Sequence, residues 1–148
     1  MKRGYFAIGI YEPKTETNMG TLWRSAHNLG ASFIFTIGKR YHKERGDTTK
    51  AWRHLPLHHY ENWDDFVKHA PKDAEIVFVE QAEGAKNLRD FRHPERALYI
   101  LGAEDYGVPV ELMCGHQKVQ IETPMCLNVA VAGSIVMYSR DFLPQRAY

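Results

Sequence analysis

Two asparagines, one arginine and a glycine-bracketed acidic turn are the residues of this chain whose types and spacing suit chemistry. Asn18 and Arg24 stand six positions apart, and a guanidinium makes bidentate contacts to phosphate. Gly102-Ala103-Glu104-Asp105-Tyr106-Gly107 puts two glycines around two acids, a spacing that permits a tight turn and a close backbone approach to a ligand. Asn128 opens an apolar helix, where a buried amide needs main-chain partners or a ligand. Between Lys39 and Arg53 six basic residues (39, 40, 43, 45, 50 and 53) face two acids, Glu44 and Asp47. With Tyr41 and Trp52 interleaved, that segment can grip an RNA backbone and stack a base. Each feature also has a plain reading: a helix cap with a solvated arginine, a solvated turn, a solvated loop. A GxGxxG fingerprint and a P-loop are both absent, which weighs against a dinucleotide site or a kinase-like phosphate cradle. His54, His58 and His59 have no cysteine or acid to complete a metal set, so no metal is expected.

These residues need a scaffold, and the composition bounds it. The chain has 148 residues, 44% hydrophobic and 25% charged, with a net charge of +1. That fits a single domain spanning 1–148, with a real core and no global polybasic character. Cys114 and Cys126 match neither a metal spacing nor a disulfide framework, so a reducing cytoplasm is the expected setting. The apolar run after Met1 is too short for a signal peptide, and no apolar segment is long enough to span a membrane.

The elements follow from apolar periodicity. Strands are expected at Tyr5–Tyr11, Phe33–Ile37, Leu57–Tyr60, Glu75–Val79, Ala97–Leu101 and Gln117–Ile121. A helix capped by Asn18 runs to about Leu29, with Gly30 as its stop and Arg24 opposite the Leu22, Ala26 and Leu29 stripe. Trp63–His69 and Pro109–Cys114 read as short helices, and 81–92 as loop with one turn. The terminal helix after Asn128 is apolar on nearly every side, so it should be buried. Its Ala130, Ala132, Gly133 and Ser134 would let another backbone come close. Alternating strands and helices predict an α/β fold with a mostly parallel sheet flanked by helices. Ligands of such sheets lie beyond the carboxyl ends of the strands. Three loops leave those ends, at Glu80–Gly84, Gly102–Gly107 and Glu122–Cys126, and together they nominate one pocket.

With these motifs in view, the chain from about Tyr5 to Phe142 resembles the TrmH-type branch of the SPOUT RNA methyltransferases. Asn18, Gly20 and Arg24 match a first motif, N-x-G-x-x-x-R. Gly102, Glu104 and Gly107 match a second, G-x-E-x-x-G. Thr123-Pro124-Met125 and Asn128 match a third, in which Cys126 stands at the usual serine. Late in the helix Tyr138 keeps a family residue, and Ser139 replaces an acid. The resemblance implies a C-terminal trefoil knot, S-adenosylmethionine as cofactor and methyl transfer to a ribose 2′-hydroxyl of RNA, tRNA more than rRNA. It places the cofactor at Val79, Glu80 and Gln81, at Leu101, Gly102, Glu104 and Gly107, and at Ile121, Met125, Cys126 and Leu127. Glu104 would support the loop or the dimer. Arg24 would orient the 2′-hydroxyl and its phosphate, and Asn128 would order the loop or the ribose. RNA would be held by Asn18, Arg24, Lys39, Arg40, Lys43 and Arg53. The family forms homodimers, which implies that Arg24 serves the partner's site. Three other readings stay open: an inactive RNA-binding dimer, an rRNA-directed methyltransferase and a small-molecule nucleotide enzyme.

Overall fold

Apolar runs of strand length assemble one parallel sheet in the computed structural model, which describes residues 4–40, 54–103 and 106–143. Its strands are β1 (Tyr5–Tyr11), β2 (Phe33–Ile37), β3 (Leu57–Tyr60), β4 (Glu75–Val79), β5 (Lys86–Asn87), β6 (Arg96–Gly102) and β7 (Gln117–Gln120). Among the described residues the order is β3-β2-β1-β6-β4-β7-β5, and every neighbouring pair is parallel. All carboxyl ends therefore meet along one edge. The two-residue β5 falls inside the stretch expected to be loop, and a 3-10 turn follows it at Leu88–Asp90.

Strand alternation sorts the core into two layers. Phe6, Ile8 and Ile10 of β1 and Tyr99 and Leu101 of β6 face α1 (Glu16–Asn28) and α4 (Val129–Phe142). Ala7, Phe35, Phe78, Leu98 and Ile100 face the other way, with Phe66 of α2 (Trp63–His69) and Met113 of α3 (Val110–Met113). Each such large side chain contributes roughly 1.5–3 kcal/mol by leaving water. Gly133 lets α4 settle directly on the first of these layers, because a Cβ there would lie 2.7 Å from Leu22 Cδ1 and 2.9 Å from Leu101 Cδ1.

Two local expectations need correction. Thr15, not Asn18, caps α1, and its hydroxyl accepts from Asn18 N at 3.4 Å. A threonine hydroxyl can also accept from an orphan first-turn donor, which leaves the Asn18 side chain for another partner. Helix α4 is buried on one face only. Val129, Ala130, Gly133, Val136 and Met137 are covered, while Val131, Ile135, Tyr138 and Phe142 are exposed at 46%, 38%, 50% and 54%. Among the described residues, no helix is long and apolar enough to cross a membrane. His58 packs edge-on to Phe33, and His59 hydrogen-bonds Thr36.

The amino ends of the strands are tied by a polar cluster. Arg140 donates to Pro94 O, to Glu95 O at 2.7 Å and to Tyr99 Oη at 3.2 Å, and its guanidinium lies 5.2 Å from the Phe6 ring centre. His93 bridges Tyr99 Oη at 2.6 Å and Ser139 Oγ at 3.2 Å. Burial, helped by the Arg140 charge, holds the His93 pKa down to about 4. The unfolded chain binds a proton on this imidazole near its ordinary value of about 6.5, so between pH 6.5 and 4 unfolding takes up protons. Stability is thus complete above about pH 6.5 and falls as the pH drops toward 4, by on the order of 1–3 kcal/mol. Chemical denaturation across that range should show this loss, and His93→Gln should flatten it. An unchanged pH dependence in the variant would contradict a buried neutral imidazole.

Candidate active site at the carboxyl ends of the strands

The three strand-end loops surround a cleft of about 530 Å³, within the roughly 300–1,000 Å³ usual for small-molecule sites. Val79, Glu80 and Gln81 enter it from β4, and Leu101, Gly102, Ala103, Tyr106 and Gly107 from β6. Ile121, Cys126, Leu127 and Asn128 come from the segment after β7, with Val129 and Ala132 from α4. Val79, Leu101, Ile121 and Leu127 supply apolar walls.

Each loop is held by its own chemistry. The β6 loop is a tight turn in which Gly107 N donates to Ala103 O at 3.0 Å. Gly107 has φ +62°, a conformation glycine adopts without strain. A Cβ at Gly102 would lie 2.7 Å from Gly107 Cα and 2.5 Å from Glu80 Oε2. Only hydrogen fits there. Gln81 fastens the β4 loop to the β7 loop: Nε2 donates to Ile121 O at 3.0 Å, and Oε1 accepts from Cys126 Sγ at 3.7 Å. The thiol at the usual serine position is thus engaged with a neighbouring loop. Thr123 Oγ1 closes the β7 segment on Met125 O at 2.6 Å.

Asn128 is exposed rather than buried, and its partners are protein groups. Its Oδ1 accepts from Ala130 N at 2.9 Å and Val131 N at 3.2 Å, capping α4. Its Nδ2 donates to Asn18 Oδ1 at 2.9 Å, across 110 residues of sequence. The asparagines of the first and third motifs therefore meet at the rim of the cleft. Asn128→Ala should cost about 1–2 kcal/mol by losing the cap. Asn128→Asp keeps the acceptor and removes the donor, so it should cost less than half as much. Equal losses in urea denaturation would mean that the bond to Asn18, not the cap, carries the stability.

Of the residues nominated for the cofactor, Val79, Glu80, Gln81, Leu101, Gly102, Gly107, Ile121, Cys126 and Leu127 line this cleft. Met125 does not; it points to solvent at 81% exposure. Glu104, Lys43 and Arg53 lie outside the described residues. Arg24 is exposed on α1, outside the cleft lining, with no hydrogen bond or ion pair to a described residue. Lys39 and Arg40 are exposed beyond β2, and Arg40 pairs with Glu61 at 3.0 Å. Ala103, Tyr106, Val129 and Ala132 line the cleft without having been nominated. Tyr106 had a readable signal, its place inside the glycine-bracketed turn. Ala132 had one too, four residues beyond Asn128 and so on the same helical face.

A glycine-cradled cleft at the carboxyl edge of a parallel sheet, closed by a capped terminal helix, defines an α/β protein with a ligand site of the open-sheet kind. More particularly, the chain belongs to the SpoU rRNA Methylase family, which it matches over residues 5–138. It is 28% identical over 139 residues to a mouse tRNA (guanosine(18)-2′-O)-methyltransferase, a match covering 82% of this chain and only 8% of that protein. A tRNA (cytidine(34)-2′-O)-methyltransferase of Ancylobacter novellus is 27% identical, with 88% of each chain covered. Among solved structures, an AdoMet-bound rRNA methyltransferase from Sinorhizobium meliloti superposes with a TM-score of 0.80 at 23% identity, over 93% of this chain and 56% of that one.

Proposed function

We propose that this protein is an S-adenosylmethionine-dependent tRNA 2′-O-ribose methyltransferase that works as a cytoplasmic homodimer. The observation that carries the reading is the cleft of about 530 Å³ where the three strand-end loops meet, bordered by a turn packed so tightly that a Cβ at Gly102 or Gly107 would collide with Glu80 or the turn itself. Family membership supports the chemistry, and the like-sized relative named for cytidine 34 supports tRNA. The residues present fit the cofactor. Val79, Leu101, Ile121 and Leu127 offer apolar faces to adenine, and the main chain of the three loops offers donors and acceptors.

S-adenosylmethionine, when bound, supplies a methyl group already activated by its sulfonium, so the protein's task is orientation and electrostatics. Gln81 fixes the spacing of two loops, and Asn128 holds the start of α4 at the rim. Arg24, with its guanidinium always charged, orients the ribose hydroxyl and the adjacent phosphate. Because Arg24 lies outside its own chain's cleft, it serves the site of the partner subunit. The exposed residues Val131, Ile135, Tyr138 and Phe142 recur at helical spacing on the outer face of α4 and form the contact between subunits. Tyr138 and Phe142 stack at 5.2 Å and extend that stripe. RNA is gripped by Asn18, Lys39 and Arg40, with the basic residues Lys43 and Arg53 continuing the same segment.

A trefoil knot belongs to the same reading. Strand β7 lies between β4 and β5, yet α4 returns to pack on Leu101 of β6 and Ile8 of β1. The connecting segment is tied to Gln81 of the β4 loop and itself lines the cleft.

The test is incubation with tritiated S-adenosylmethionine and, in parallel, unmodified tRNA or unmodified ribosomal RNA, followed by mass-spectrometric mapping of the labelled nucleoside. Label in a 2′-O-methylated nucleoside is expected, with position 34 as the site to inspect first. Label appearing only in ribosomal RNA would redirect the substrate. No label in any RNA despite cofactor binding would favour an inactive RNA-binding dimer.

A further inference from the structure

Among the described residues lining the cleft, Glu80 is the one acidic side chain and none is lysine, arginine or histidine. Its backbone is fixed, since Glu80 N donates to Val119 O at 3.0 Å. Its carboxylate is held against the glycine turn: a Cβ at Gly102 would lie 2.5 Å from Oε2, and one at Gly107 2.6 Å from Oε1. Among the described residues the carboxylate has no hydrogen-bond donor and no cation. Burial pushes its pKa above the usual carboxylate range, the mark of a desolvated group. A half-buried, unpartnered carboxylate works against folding, so its natural complement is a ligand that brings donors.

We propose that Glu80 is a specificity-determining residue that accepts hydrogen bonds from the cis-diol of the donor's adenosine ribose. The inference rests on the cofactor reading given above. Two oxygens of a residue that lines the cleft, one beside each glycine, suit two adjacent hydroxyls. An acid at the carboxyl end of a parallel strand, next to a glycine turn, serves a ribose diol in other open α/β sheets. Of the other polar side chains in the described lining, Gln81 is spent on the β7 loop, Cys126 on Gln81 and Asn128 on the α4 cap and Asn18, while the Tyr106 hydroxyl is neutral and the residue 94% exposed. Glu80 thus supplies an anionic acceptor pair that no other described lining residue offers.

The experiment is calorimetric titration of the wild type, Glu80→Gln and Glu80→Ala with S-adenosylhomocysteine and with its 2′-deoxy analogue. Wild type should bind the ribose form roughly tenfold to a hundredfold tighter than the deoxy form, the usual effect of losing a hydrogen bond to a charged group. In Glu80→Ala that discrimination should vanish, and in Glu80→Gln it should shrink, while the melting temperature is unchanged or raised. S-adenosylmethionine should lose affinity in parallel, because it carries the same diol. Undiminished discrimination in Glu80→Ala overturns the proposal. So does a loss confined to S-adenosylmethionine, which would assign the carboxylate to the sulfonium charge. If the wild type bound neither compound, the cofactor reading itself would fail.

Discussion

Gly102→Ala should abolish detectable cofactor binding, a loss of at least a hundredfold, while the chain stays folded. The added methyl would sit 2.7 Å from Gly107 Cα and 2.8 Å from Gly107 C, distances that no Cβ tolerates. Neither obstacle is the end of a flexible side chain; both are main chain, in a turn closed by its own hydrogen bond. The turn must therefore move, and outward movement displaces Gly107 and Tyr106 from the cleft wall. Overpacking of this kind costs about 1–3 kcal/mol of stability, which a domain of this size survives. Calorimetric titration beside a thermal melt separates the two effects. A variant that melts near wild type and binds S-adenosylhomocysteine normally would place the cofactor elsewhere.

Arg24→Ala should lower methyl transfer by three orders of magnitude or more and leave cofactor affinity within about twofold. Removal of a single pre-positioned charge-stabilising donor costs roughly 10²–10³ in rate. In the proposed role this guanidinium would also dock the phosphate, which would add to the loss. Its exposure on α1 outside the cleft explains why binding of the cofactor should be spared. The same geometry yields a sharper test. In the proposed homodimer, mixing Arg24→Ala with the cofactor-deficient Gly102→Ala protein would let subunits exchange. One site of each mixed dimer would then pair an intact cleft with an intact arginine from its neighbour. Activity that reappears on mixing supports a shared site, and silence in the mixture places Arg24 in the service of its own chain.

Much of this architecture is readable from the chain because parallel strands buried on both faces are continuous apolar runs. Phe33–Ile37 and Glu75–Val79 form as the pattern indicates, bounds included. The polar β5, Lys86–Asn87, carries no such signal, since its pairing with Val119 and Gln120 is backbone alone. Helix α4 shows a different limit. Its sequence is apolar all round, and periodicity has no means of separating the half that meets β6 from the half that faces outward. Spacing also finds the cleft's three loops, because topology fixes where strand ends lie. It does not find the pairing of Asn18 with Asn128. That contact exists only after the whole sheet has formed, and a competing cap at Thr15 is what frees Asn18 for it. Likewise nothing in the sequence near Glu80 announces that its carboxylate rests against glycines more than twenty positions away.

The link between Asn18 and Asn128 also bears on how the molecule matures. One wall of the cleft is the first part of α4, so a ribosome-bound chain that has exposed every strand still lacks a place for the donor. Affinity for S-adenosylhomocysteine is therefore a late-arriving property, acquired only when the last helix docks onto the first. A fluorescent analogue of that ligand would time the closing step of folding, with a lag behind the recovery of far-ultraviolet dichroism.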